Sequence, residues 1–448
     1  MIPPDQDVRF QPESLLRGKA LDLKELVRPY YLKWLYFHLA KEHCPPEFKR
    51  WLEYPSAPLE ASAEVVGAAQ TGLADAIFLP MNDWHGIRQR SQQLARAFSA
   101  LGHRCFYLNP HLGREFPRVY SNHDRARLSL LEPRIAELHV HLRREPVFHH
   151  RRLKPPEVET IGDSLLALLR ATGSSGQMSI VGFPVWTDVA VRLRQQLNTP
   201  IIYDCHDLLE GLEGISPDLL DQEGELLRAA DLVVFSAQWL AQEHTSRKPE
   251  LAAKSVVIRN GAESQHFEAV VRNQQGGPVT IGYVGALNSW FDIEAYTAAA
   301  SQHPEWRFLL VGPLGFTFPK DVFSGHKNIQ LIGEVAYQDL PKWMAEFDAG
   351  TIPFLIQPLT MATNPVKLYE YFACGLPVVS SPLGEVARYS DLVYLAKDPA
   401  EFVRQLENAV AENDPVKRAA RRRVARQENW ISRAETLLTA LRNTETRA

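Results

Sequence analysis

The stretch from Asn364 to Val379, NPVKLYEYFACGLPVV, has the residue types and spacing best suited to chemistry in this 448-residue chain. Asn364 is a good N-cap and Pro365 suits the first helical position, while Gly375 and Pro377 stop the helix about three turns later. A short helix opening at a strand end presents unpaired backbone N–H groups and the positive end of its dipole. That arrangement favours a diphosphate by roughly 0.3–1 kcal/mol, and by up to about 2 when sheltered. Lys367 and Glu370 are three residues apart and share a face. A cation for phosphate and an acceptor for ribose hydroxyls then stand one turn apart. The plain alternative is an exposed intrahelical ion pair worth a few tenths of a kcal/mol.

Four further segments carry candidate groups. In IGYVGALNSWFD, Ile281 to Asp292, Gly282 and Gly285 let the backbone approach a ligand, with Asn288 and Ser289 as polar groups at the mouth. The simpler reading is a glycine turn needed for helix-sheet packing. No Lys or Arg occurs between Ile281 and Glu305, so Lys367 must supply the positive charge. In LPMNDWHGIRQRSQQ, Leu79 to Gln93, Gly86 follows Trp84 and His85 in a strand-to-helix loop, and Arg88 or Arg90 adds charge for a phosphate. Otherwise these arginines are exposed helix positions. In IIYDCHDL, Ile201 to Leu208, a buried-type strand ends in Asp204, His206 and Asp207. Polar groups there are costly unless solvated or paired, which points to a cleft. Any of the three could orient an acceptor or take its proton, and an imidazole is the side chain that ordinarily titrates near neutrality. A lone histidine is, however, more often structural. The ending VGFPVWTD offers Trp186, Thr187 and Asp188 to the same wall.

The elements that must position these groups follow from the apolar pattern. Short runs alternate with helical stretches: Ala76–Leu79, Cys105–Leu108, Ile180–Gly182, Ile201–Tyr203, Leu232–Phe235 and Val256–Ile258. After the polar, glycine-bearing linker 271–278 a second series runs Val279–Val284, Arg307–Val311, Ile329–Ile332, Ala349–Ile352 and Val378–Ser380. This is the rhythm of βαβ units and predicts two doubly wound α/β domains in tandem. The expected units are a helical extension over 1–72, a first domain over 73–270, a second over 271–428, and a terminal helix over 429–448. Within the extension, Tyr30, Trp34, Phe37 and Lys41 recur at helical spacing, so 21–41 either packs on the body or makes a peripheral membrane or partner contact. The basic cluster Lys417 to Arg426 reads as a solvated helix face.

Composition narrows the classes. A formal charge of −4 without a basic excess gives no reason to expect nucleic-acid binding. The four cysteines are far apart and form no CxxC pair, which fits a reducing cytoplasm and neither a disulfide framework nor a zinc knuckle. No window reaches the roughly 18 apolar residues of a membrane span, so any membrane association is peripheral.

From about residue 76 to 445 the chain resembles the GT-B glycosyltransferases of family four, most clearly in the GLPVV ending after a glutamate-bearing helix. The segments DLVVFS from Asp231, VVIRNG from Val256 and the tail around Trp430 add to that likeness. The resemblance implies two Rossmann-like domains facing a cleft, a UDP- or GDP-linked sugar as co-substrate, no separate cofactor, no metal, and retention at the anomeric carbon. It assigns the donor ribose to Glu370, with Lys367, Asn364, Thr363, Gly285, Asn288, Gly86, Arg88 and Arg90 as further donor-binding positions. The acceptor, a glycan, a lipid-linked glycan or a small molecule, would dock beside Asp204, His206 and Asp207. The sequence departs from the family where a glutamate is usual eight positions before Glu370, since Ala362 stands there. A non-catalytic partner subunit and a sugar-nucleotide epimerase of the same fold are the competing readings.

Overall fold

The computed structural model describes residues 54, 56–113, 124–146, 150–270, 277–315 and 318–445. Two sheets form within them. The first contains β1 (Ser56–Pro58), β2 (Asp75–Leu79), β3 (Cys105–Leu108), β4 (Ala126–Glu132), β5 (Ile135–Val140), β6 (Gln177–Val181), β7 (Ile201–Cys205), β8 (Leu232–Phe235) and β9 (Ser255–Val257). Their spatial order is β1-β4-β5-β3-β2-β6-β7-β8-β9. The second contains β10 (Thr280–Val284), β11 (Arg307–Val311), β12 (Ile329–Gly333), β13 (Ala349–Ile352), β14 (Val378–Ser380) and β15 (Val393–Leu395), in the order β12-β11-β10-β13-β14-β15.

Every neighbouring pair in the second sheet is parallel, and in the first only β1–β4 and β4–β5 run antiparallel. The reason is visible in the strands. AIFL, CFYL and LVVF are apolar throughout, so both faces must be covered, and β2, β3, β7, β8 and β10 are buried at every residue. Strand order reverses between β2 and β6 in one sheet and between β10 and β13 in the other. Crevices open at the carboxyl ends of strands at such reversals. The loops leaving β2, β10 and β13 therefore carry the groups that meet a ligand.

Several expectations are corrected. Residues 1–53 and 55 of the expected extension, including the 21–41 segment, lie outside the described residues. The described end of that extension is not a separate helical unit. β1 pairs with β4 at the sheet edge, and the following helix Ser62–Val66 buries Val66 in the first core. Of the expected hinge 271–278, residues 271–276 lie outside the described residues. The hairpin β4–β5 lies outside the expected strands, and Arg127, Ser129, Glu137 and His139, which alternate along it, are all buried. Arg127 is satisfied there by the Ser56 carbonyl at 2.6 Å and hydroxyl at 2.7 Å.

The basic cluster is not uniformly solvated either. Its helix, Pro415–Gln427, packs on the helix Val366–Cys374, with Arg421 fully buried against Glu412 and donating to the Leu392 carbonyl at 2.9 Å. The terminal helix Trp430–Glu445 then returns to the first domain, where Trp430, Ala434, Leu437 and Leu441 join Phe78, Leu94 and Phe98 in one core cluster.

Candidate functional site: the cleft between the two sheets

A cavity of about 420 Å³ lies between the domains, lined on one side by the loop leaving β2 and by His206 and Asp207, and on the other by Gly285, Trp290, Tyr337 and the start of the 366–374 helix. A larger depression of about 650 Å³ lies near Pro200, Arg194 and Lys254, where β7 begins. Its lysine is already satisfied by the carbonyls of Arg228 and Ala230, at 2.9 and 2.7 Å. The interdomain cavity is the one at the strand reversals.

The 366–374 helix starts differently from the sequence reading. Pro365, with φ −69° and ψ 115°, occupies the capping position, and no side chain caps the helix. Asn364 is instead buried in an amide pair that joins the domains. Its Oδ1 accepts from the Asn260 backbone N–H at 2.8 Å, and Asn260 Nδ2 donates to its carbonyl at 2.6 Å. Asn364 Nδ2 donates in turn to the Tyr369 hydroxyl at 3.1 Å. Gly375, at φ +75°, ends the helix in the left-handed conformation that favours glycine.

Lys367 and Glu370 are brought together on the cleft wall, and neither is a solvated surface group. Lys367 Nζ donates to the Tyr283 hydroxyl at 3.0 Å and lies 4.2 Å from the Tyr283 ring centroid and 4.7 Å from that of Phe354. Burial lowers its pKa to about 7. Gly285, at φ +136°, passes directly over the ammonium, and a Cβ there would sit 2.6 Å from Nζ. Glu370 is 6% exposed. Burial raises its carboxyl to about 7, opposed by nearby Lys367. Lys367 is thus poised to gain charge from a ligand that brings anionic oxygens, and Glu370 from one that brings hydroxyl donors.

The opposite wall is more engaged than its sequence suggested. Arg88 bonds Glu263 at 3.1 Å and lies 4.2 Å from the Tyr337 ring centroid, so it spans the two domains. Arg90 lines the cavity, but its guanidinium is already paired within the first domain. At 3% exposure it is held by Asp204 at 2.9 Å and Asn260 at 2.9 Å. The same bond removes Asp204 from the candidate bases, since its carboxylate is committed to a buried arginine. His206 does reach the cavity. Its Nδ1 faces the Asp204 carbonyl at 3.0 Å, and Asp207 is 3.7 Å from Nε2. If Nδ1 carries the hydrogen and donates to that carbonyl, Nε2 is left as the acceptor on the cleft side.

Thr363 lines the cavity, but its hydroxyl donates to the Leu359 carbonyl at 2.9 Å. Gly86 and Asn288 are not among the lining residues, Asn288 accepting from the Ser289 N–H at 2.9 Å beside Gly315. Trp186 and Thr187 are buried core rather than acceptor wall, and Asp188 pairs with Arg152 at 2.9 Å. Tyr337, Asn260, Trp290 and Phe354 line the cavity without having been singled out for it. Asn260 falls within the VVIRNG segment that carries the family likeness, and nothing in residue type or spacing marks the other three.

The match to known proteins starts with the architecture. Two doubly wound sheets facing one cleft, bridged by a terminal helix, superpose on sucrose-phosphate synthase from Thermosynechococcus elongatus with a TM-score of 0.65, at 17% identity over 84% of this chain and 100% of that one. The fold is GT-B. Anabaena HepE, solved in complex with UDP and glucose, shares this GT-B fold at a TM-score of 0.58 and 16% identity over 82% of this chain and 99% of that one. Residues 294–439 match the family described as glycosyl transferase-like, a span that runs from the helix after β10 into the crossing helix and leaves out β10 and the Gly285 loop. A protein of Bacillus subtilis (strain 168) named as a teichuronic acid biosynthesis glycosyltransferase, TuaH, is 26% identical over 261 residues. That alignment takes in 51% of this chain and 64% of the relative's length. Among the described residues no helix is long and apolar enough to cross a membrane.

Proposed function

We propose that this GT-B chain moves a sugar from a UDP- or GDP-linked donor to a glycan, lipid-linked or small-molecule acceptor, in the assembly of a polysaccharide or related glycoconjugate. The observation that carries the proposal is the convergence of Lys367, Glu370 and the Gly285 backbone on one cleft at the reversal points of both sheets. In this reading the diphosphate lies over Gly285, where its oxygens meet Lys367 Nζ, and the ribose hydroxyls donate to Glu370. The name of the Bacillus relative supports a polysaccharide product, and the UDP and glucose held by the Anabaena neighbour support the donor class.

The leaving diphosphate gains negative charge as the glycosidic bond to it breaks, and a preorganised cation stabilises that change in a site from which water is excluded. Lys367, recharged by the bound anion, is the proposed source, so the transfer is proposed to need no metal at the phosphates. The acceptor is proposed to dock on the wall formed by His206 and Asp207, with His206 Nε2 taking the hydroxyl proton. Retention is proposed on family likeness alone. Calorimetric titration with UDP and with GDP tests the donor site. Uptake of one of them, weakened roughly tenfold or more by Lys367→Met, is expected. Absence of uptake of either, or equal uptake by the variant, sinks the assignment, and uptake without sugar transfer to any acceptor points to the non-catalytic reading.

A further inference from the structure

Away from the Lys367 wall, the loop leaving β2 makes a second cluster of chemically active groups. Asp83 and His85 lie on that loop, while Glu137 and His139 lie two residues apart on β5 and so project from the same face of the strand. His85 Nε2 is 2.9 Å from Glu137 Oε2, and His139 Nε2 is 3.4 Å from the same oxygen. One donor atom each from Asp83, His85 and Glu137 lies within 4.8 Å of the other two. Asn109 Nδ2 donates to Glu137 Oε1 at 2.8 Å, which turns Oε2 toward the imidazoles. The Asp83 carboxylate is held in place by accepting from the His85 backbone N–H at 3.1 Å.

We propose that Asp83, His85, Glu137 and His139 form a site for one divalent transition metal ion of the zinc class. Two imidazole nitrogens and two carboxylates are a borderline donor set that suits zinc and its neighbours better than magnesium or calcium. Bonds of about 2.1 Å in a tetrahedral shell place neighbouring donors about 3.4 Å apart, which the Asp83, His85 and Glu137 donors meet with small adjustments, whereas His139, 3.4 Å from Glu137 but outside that three-residue group, must turn toward the other two to become the fourth ligand. Burial helps as well. The side chains of Glu137 and His139 are 0% and 5% exposed, and that of His85 is 15% exposed, so the site is sheltered yet open from the His85 side. Asn109 on Glu137 is the kind of outer partner that orients a metal ligand. The ion would tie the loop bearing Arg88 to β5, two strands away across β3. It stands apart from the proposed diphosphate contacts, so its test does not depend on them.

The full chain, stripped with a chelator and dialysed, is titrated with Zn²⁺ alone by calorimetry. Saturable uptake of one equivalent is expected, weakened roughly tenfold or more in both His85→Gln and His139→Gln and unchanged in His303→Gln, a histidine remote from the cluster. His139 is buried, so its variant is checked by circular dichroism, and the more accessible His85→Gln decides the matter if His139→Gln fails to fold. No saturable uptake, or equal uptake by wild type and His85→Gln, overturns the proposal.

Discussion

Replacing Glu370 by glutamine should make the empty protein more stable and the donor-binding site worse. The carboxyl is raised from 4.5 to about 7 by burial, so the folded state holds its proton where the unfolded chain has released it. A raised carboxyl therefore weakens folding progressively as pH climbs from the unfolded value to the folded one, and the loss is constant above that. At about 1.4 kcal/mol per pH unit, the burden is under about 1 kcal/mol at pH 5 and about 3 kcal/mol at pH 8. Glutamine carries no charge to desolvate but still buries an amide, so about 2 kcal/mol of net gain at pH 8 is the working figure. For a domain of 150–250 residues that is a rise of roughly 4–8 °C in melting temperature. Thermal unfolding of both proteins at pH 5 and pH 8 measures it. Donor affinity should fall roughly tenfold to a hundredfold, the worth of hydrogen bonds to a charged acceptor. A variant no more stable than wild type at pH 8, or equally stabilised at both pH values, refutes the claim that this carboxylate is held under desolvation for a ligand.

Three further outcomes follow from the same geometry. Gly285→Ala forces a side chain into φ +136° and against Lys367 Nζ, so calorimetry should show nucleotide affinity falling roughly tenfold, with about 1–3 kcal/mol of strain in the fold. Asp204→Ala strands the buried Arg90 guanidinium, so stability should drop by about 3–5 kcal/mol in denaturant titration, whereas lost turnover at undiminished stability would restore Asp204 as a catalytic residue. His206→Gln should lower turnover by roughly a hundredfold to ten-thousandfold with donor affinity nearly unchanged, and unaltered turnover would remove it as the proposed base.

The sequence was sufficient for the parts of this protein set by local pattern. Runs such as CFYL, LVVF and FLLV are apolar on both faces, which only a covered parallel sheet satisfies, and the structure forms strands over Cys105–Leu108, Leu232–Phe235 and Arg307–Val311 as those runs require. Gly375 likewise ends its helix where the sequence demanded a residue tolerant of positive φ. The pairing of Lys367 with Glu370 was legible because three residues on a helix fix a shared face. Tertiary structure alone decided what the charges do. Arg88, Arg90 and Asp204 read equally well as ligand contacts, but their partners are 175, 170 and 114 residues away in Glu263, Asn260 and Arg90. The polar residues of β4 and β5 make the same point, since Arg127 and Glu137 are buried only because Ser56 and Asn109 are there to pair with them. Whether a charge is spent on the fold or kept for a ligand depends on distant groups, and no local spacing encodes them.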